Sequence, residues 1–165
     1  MGFLAANFMK VQLWSFGKAH ESYIREGMEL FQERINHYCE FEFKLLSAGK
    51  NTAKLSPNEL KKKEARILLA ALEPRQHLIA LDERGKMLNT LQFADLLEKQ
   101  RTSGAAPLVF LIGGAYGLDE SILLKARHIL AISQFTFPHQ LVRLIMAEQI
   151  YRAFTVLNHE KYHHQ

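Results

Sequence analysis

One cysteine, Cys39, in 165 residues leaves the chain without an internal disulfide or a cysteine-rich zinc site, the usage of a reducing compartment. Four prolines and nine glycines exclude a collagenous or proline-rich chain. No uninterrupted apolar run approaches the roughly 18–20 residues that a membrane-spanning helix needs, so a soluble protein is expected. The opening Met1-Gly-Phe-Leu-Ala-Ala-Asn-Phe8 lacks the basic start and long apolar core of a signal peptide. Residues 1–8 read as an upstream extension or cloning remnant, and residues 9–165 as one domain. Charge of one sign is only slightly in excess: 21 Lys and Arg oppose 17 Asp and Glu, a net +4 that suits a polyanionic partner without identifying one. With 48% hydrophobic residues, a chain of this length buries enough surface to need no metal or disulfide.

What is present alternates between strand and helix. Lys10–Phe16 has the period of a strand, and His20–His37 places Tyr23, Ile24, Met28, Phe31 and Ile35 on one helical stripe. Glu40–Leu45 reads as a second strand. Ser56-Pro57-Asn58-Glu59 supplies an N-cap, a proline at the first helical position and a first-turn acid, so a helix is expected over 57–72. Its Lys61-Lys62-Lys63 run reads first as a solvated face. His77–Asp82 is a buried strand entering a tight polar turn at Glu83–Lys86. Leu91–Arg101 is helical, Pro107–Ile112 a continuous apolar strand, 119–127 a short helix, 129–133 a short strand and 138–156 a long helix. Uniformly apolar strands between helices imply an α/β fold with a mostly parallel sheet covered on both faces.

Ligands of such sheets bind beyond the carboxyl ends of the strands, which directs attention to the loops after Asp82, Ile112 and Ser133. Gly113-Gly-Ala-Tyr-Gly117 lets the main chain approach a ligand, and Gly113 and Gly114 tolerate positive φ. The G-G-x-x-G spacing is not the dinucleotide fingerprint. In Ser133–Gln140, Ser133 and Thr136 can cap, Pro138 falls in the first turn and His139 at the helix N-terminus, while Phe135 and Phe137 can wall a slot for a flat ring. Leu141, Leu144, Ile145, Ile150, Tyr151 and Phe154 form a broad apolar helix face fit for self-association. Arg143 and Arg152 divide between surface solubility and phosphate binding, with Glu148 placed to pair with Arg152. The histidines of the tail, His159, His163 and His164, lack a carboxylate or cysteine framework, so no metal site is expected. Ser133 sits in no G-x-S-x-G elbow, which argues against hydrolysis.

Leu81-Asp82, Phe110-Leu-Ile-Gly-Gly-x-x-Gly-Leu118, Ser133-x-x-Thr-x-Pro-His139, Leu141-Val-Arg143, Glu148-Gln-Ile-Tyr-Arg-Ala153 and Tyr162-His163, in this order, resemble the ribosomal large subunit pseudouridine methyltransferase H family of the SPOUT superfamily. The resemblance runs from Met9 to His163. It implies an α/β knot, with a C-terminal trefoil, and a cytoplasmic homodimer that transfers the methyl of S-adenosylmethionine to N3 of a pseudouridine in 23S ribosomal RNA on the ribosome. Family cofactor contacts carry over to Leu81, Gly113, Ser133, Gln134, Phe135, Thr136, Phe137 and Pro138. His139, Arg152, Tyr162 and His163 become the candidates for positioning the nucleoside or easing loss of its N3 proton, the base among them left open. The tail of one subunit is able to complete the site of the other. Methylation of transfer RNA by the same fold, and a non-catalytic ribosome-binding protein, are the alternatives. A flavodoxin-like nucleotide binder is a third.

Overall fold

Successive side chains of a strand point to opposite faces, so a strand that is apolar at every position must be covered twice. The computed structural model describes residues 9–104 and 106–164, and residues 1–8, read above as an extension, lie outside the described residues. Its strands are β1 (Lys10–Phe16), β2 (Glu40–Leu46), β3 (His77–Met87), β4 (Leu108–Ile112) and β5 (His128–Ala131). All neighbours pair in parallel, in the order β2-β1-β4-β3-β5. The helices are α1 (Ser22–Ile35), α2 (Pro57–Ala71), α3 (Thr90–Thr102), α4 (Glu120–Lys125) and α5 (His139–Leu157).

The period of two sorts the core. Val11, Leu13, Ile79, Leu81, Leu108, Phe110 and Ile112 face one side with α1, α3 and α5, whereas Trp14, Phe16, Leu78, Ala80, Val109 and Leu111 face the other with α2 and α4. Cys39 lies in the first cluster, 1% exposed, and burial pushes its thiol up to about 12. Ser56 and Glu59 form the expected capping box at α2, and Asn89 with Gln92 forms a second at α3. The helix stripe on α1 is narrower than its spacing indicates: Ile24, Met28 and Ile35 are buried, but Tyr23 is 61% exposed.

Three expectations are corrected. Glu83–Lys86 is not a turn that ends a strand; β3 bulges there, its pairing with β5 jumping from Leu81↔Leu130 to Lys86↔Leu130, and it continues to Met87. Gly85 permits this, because a Cβ on it would lie 2.6 Å from the main chain of Ile129 and Leu130. Ile150 and Phe154 do not offer a surface for self-association, since both are buried in the protomer's own core, at 0% and 4% exposure. Arg143 is neither a surface charge nor a phosphate ligand. It is fully buried, and it donates to Ser15 Oγ at 2.8 Å, Phe16 O at 3.1 Å and Lys18 O at 2.8 Å.

Arg143 thus supplies the donors for two main-chain carbonyls at the exit of β1. Arg143→Met preserves much of the volume but removes the donors to Ser15 Oγ, Phe16 O and Lys18 O at once. A loss of about 3 kcal/mol is expected, read as a lower urea midpoint at unchanged slope.

Candidate functional site

The carboxyl ends of β3, β4 and β5 open into one cleft of about 1000 Å³. Three segments wall it: the β3 bulge from Leu81, the turn Ile112–Leu118 and the segment Leu130–Phe137 that enters α5. Of the residues expected to bind cofactor, Leu81, Gly113, Ser133, Gln134, Phe135, Thr136 and Phe137 lie on these walls, and Pro138 is outside the lining. Phe137 is half-buried, while Phe135 is 81% exposed at the cleft.

The glycine turn works by close approach more than by backbone freedom. Gly113 and Gly114 tolerate positive φ, but within the turn it is Gly117 that adopts it, at +79°, where the turn closes with a 3.2 Å bond from Gly117 N–H to Gly114 O. A Cβ on Gly113 would lie 3.0 Å from both the Gly117 carbonyl carbon and Leu118 Cδ2. Ser133 Oγ accepts the Phe135 N–H at 3.0 Å and so shapes its own loop, not the helix. The cap position of α5 is Pro138, one residue before the helix, with no side-chain bond, so Thr136 does not cap.

Electrostatics at the cleft are set by pairs that spacing alone did not disclose. Arg84 grips Asp82 through Nε at 2.7 Å and a terminal nitrogen at 3.0 Å, and that pairing holds the Asp82 carboxyl below its ordinary range. The same guanidinium reaches the Leu118 carbonyl at 3.4 Å, tying the bulge to the end of the glycine turn. Lys61, read from the sequence as part of a solvated face, lines the cleft, as does the half-exposed Tyr116. Glu64 was also missed: it is 8% exposed, and its carboxylate abuts Gly114. Its signal was legible, because Glu64 lies four residues from both Leu60 and Leu68 on α2.

The four catalytic candidates separate. His139 lines the cleft. Burial first, and the Arg143 charge second, push its imidazole below the ordinary value. Arg152, Tyr162 and His163 are elsewhere: Arg152 lies thirteen residues along α5 from His139, about 20 Å at 1.5 Å per residue. There Glu148 Oε1 accepts from Arg152 Nε at 2.9 Å and from the Tyr162 hydroxyl at 3.3 Å, and the guanidinium lies 4.6 Å from the Tyr162 ring centre. The tail is not frayed. His159 takes positive φ, and Glu160 N–H to Thr155 O and His159 N–H to Val156 O close a Schellman turn. Buried His163 Nδ1 has no partner among the described residues. No group of histidines, cysteines and acids among the described residues could hold a metal, and no described helix is long and apolar enough to cross a membrane.

Residues 9–163 match a family model described as Predicted SPOUT methyltransferase. The chain is 42% identical over 156 residues to Ribosomal RNA large subunit methyltransferase H of Cytophaga hutchinsonii, covering 94% of this chain and all of that protein. It is 41% identical over 157 residues to the protein of the same name from Parabacteroides distasonis, covering 95% and 100%. A solved probable methyltransferase from Bordetella pertussis superposes with a TM-score of 0.58 at 13% identity, over 89% of this chain and 95% of that one, a likeness of fold.

Burial and a neighbouring guanidinium both disfavour imidazolium, so His139 is neutral at pH 7. Its ring resonances, followed by NMR across the acid range, should titrate below the roughly 6.5 of an exposed histidine. A midpoint at or above that value would remove the neutral imidazole from the cleft.

Proposed function

The chain belongs to the SPOUT methyltransferase family, and from that membership we propose that it methylates large-subunit ribosomal RNA, drawing on S-adenosylmethionine and modifying N3 of a pseudouridine in 23S RNA on the ribosome. The observation that carries this reading is the convergence of three strand-end segments on one cleft, with Leu81, Gly113 and Ser133–Phe137 all on its walls. The lining fits the donor: Phe135 and Phe137 offer apolar faces for a purine, and the tightly turned main chain at Gly113–Gly117 offers amides and carbonyls for its polar edges. When bound, S-adenosylmethionine supplies a methyl group already activated by its sulfonium.

The protein's own tasks are then alignment and proton management. His139, neutral and at the cleft, is placed to accept the N3 proton of the nucleoside. Lys61 at the rim gives the RNA backbone a cation, and the net +4 makes association sensitive to salt. The chain acts in the cytoplasm as a homodimer in which Arg152, Tyr162 and His163 serve the partner's cleft. Two features support that arrangement: the separation of about 20 Å between Arg152 and His139 along α5, and His163 Nδ1, which has no partner among the described residues. The knotted C-terminal trefoil of the resemblance forms part of the same proposal.

Transfer of labelled methyl from S-adenosylmethionine to ribosomes lacking the modification should place label on a pseudouridine of 23S RNA, with little on free ribosomal RNA. Label on transfer RNA alone would move the target within the same fold. Cofactor binding without transfer to any RNA would make the chain a non-catalytic ribosome binder.

Sharing of sites between subunits has its own test. His139→Ala and the double variant Tyr162→Ala, His163→Ala should each be nearly inactive as homodimers. Exchanged into mixed dimers, they rebuild one intact site per heterodimer and restore roughly a quarter of wild-type turnover. A mixture as inactive as its parents would return the tail to its own protomer.

A further inference from the structure

Glu64 is a buried acid that neither the expected site nor the ion pairs of the fold account for. It is carried on the covered face of α2 between Ala65, Leu68 and the sheet, where an apolar side chain would fill the space without desolvating a charge. Its carboxylate runs instead to the glycine turn: a Cβ at Gly114 would lie 2.5 Å from Oε1 and 3.0 Å from Oε2. Gly114 has no positive φ, so what its missing side chain provides is room for the carboxylate. No described ion pair includes Glu64. Burial raises its carboxyl to about 7, against an opposing pull from backbone hydrogen bonding at Gly114.

We propose that Glu64 is a positioning residue for the methyl donor: from behind the cleft wall its carboxylate holds the Gly114 main chain, so that the front of the Gly113–Gly117 turn keeps the shape the donor contacts. This inference rests on reading the cleft as the donor site. Glu64 is not part of the cleft lining, whereas the turn it braces is. It therefore acts through the main chain and not by touching the donor.

The coupling has a sign. An ionised carboxylate accepts an amide N–H more strongly than a neutral carboxyl does. A donor that immobilises the turn strengthens that bond, favours the ionised form and releases a proton. Affinity then rises with pH through the region of 7 and levels off above it. The other charged or titratable groups around the turn include Lys61 on α2, Asp82 and Arg84 on β3, Asp119 and Glu120 at the start of α4 and Tyr116 in the turn itself. Asp82 and Asp119 are held below their ordinary range by bonds from Arg84 and Ser121. His139, on the α5 side of the cleft, titrates below its ordinary value.

Isothermal titration of the full-length protein with S-adenosylmethionine between about pH 6 and about pH 8 tests this. Wild-type affinity should rise up to about tenfold across the range, the limit for one linked proton centred near 7, with a proton released in buffers of differing ionisation heat. Glu64→Gln keeps an oxygen acceptor of the same shape but cannot titrate, so its affinity should be flat with pH and close to the wild-type value at the acid end. Glu64→Leu removes the acceptor and should bind at least about tenfold more weakly than wild type at pH 8, with circular dichroism unchanged. A Gln variant that retains the slope, or a folded Leu variant that binds like wild type, overturns the role of Glu64 and leaves the donor site standing. A wild-type protein that binds no S-adenosylmethionine at any pH overturns both.

Discussion

The buried guanidinium of Arg143 is the interaction on which the rest of the site depends. It comes from the second turn of α5 and binds the last turn of main chain at the end of β1, through Ser15, Phe16 and Lys18. An uncompensated buried charge is costly, and three oxygen acceptors are what make it tolerable. The consequence reaches the cleft, because the residue that fixes where α5 begins also fixes where Leu130–Phe137 ends. Arg143 also lies close to His20 Nδ1, at 3.2 Å, and contributes to lowering the titration of both His20 and His139. One side chain therefore holds the start of a helix and adds to the burial that lowers the titration of the histidine there.

A wholly parallel sheet gathers its carboxyl ends on one edge, and that edge is the part of the molecule where regular hydrogen bonding stops. Each of the three segments there is held by a different device. Asp82 and Arg84 brace the bulge, Glu64 and the Gly117-to-Gly114 main-chain bond brace the turn, and Ser133 with Arg143 brace the entry to α5. The braces come from both faces of the sheet: α2 carries Glu64 on one side and α5 carries Arg143 on the other. Restraint from both faces acts to lower the ordering cost that binding must meet.

Periodicity and end signals made the elements legible, since they are local: the strand at Lys10–Phe16, the capped start of α2 and the apolar run of β4 lie where spacing places them. What local pattern missed were decisions taken by neighbours. Glu83–Lys86 has the composition of a turn, but β5 offers continued pairing and Gly85 admits its main chain. Arg143 and Ile150 look alike in a helical wheel of a partly covered helix; only the position of β1 shows one to be a clamp and the other core. The segments that wall the cleft were legible because strand ends in an α/β fold are few. The pairing of Asp82 with Arg84 and of Glu64 with Gly114 was not, because each joins groups whose approach depends on a bulge or on a missing Cβ.

The length of α5 imposes the last constraint. A helix of 19 residues spans about 28 Å, so His139 at one end and Tyr162 beyond the other cannot meet across a single cleft in this protomer. The tail is nevertheless built with care: a left-handed His159, a Tyr38 hydroxyl on Glu160 at 2.7 Å, and Tyr162 held between Tyr151, Arg152 and Glu148. Local packing accounts for the Tyr162 ring and for Arg152, whose guanidinium is already spent on Glu148. It does not account for a buried imidazole nitrogen with no partner among the described residues, since such a group costs free energy wherever water is excluded. That atom lies beyond the end of α5 remote from the cleft, so within this protomer the tail and the cleft do not share a site.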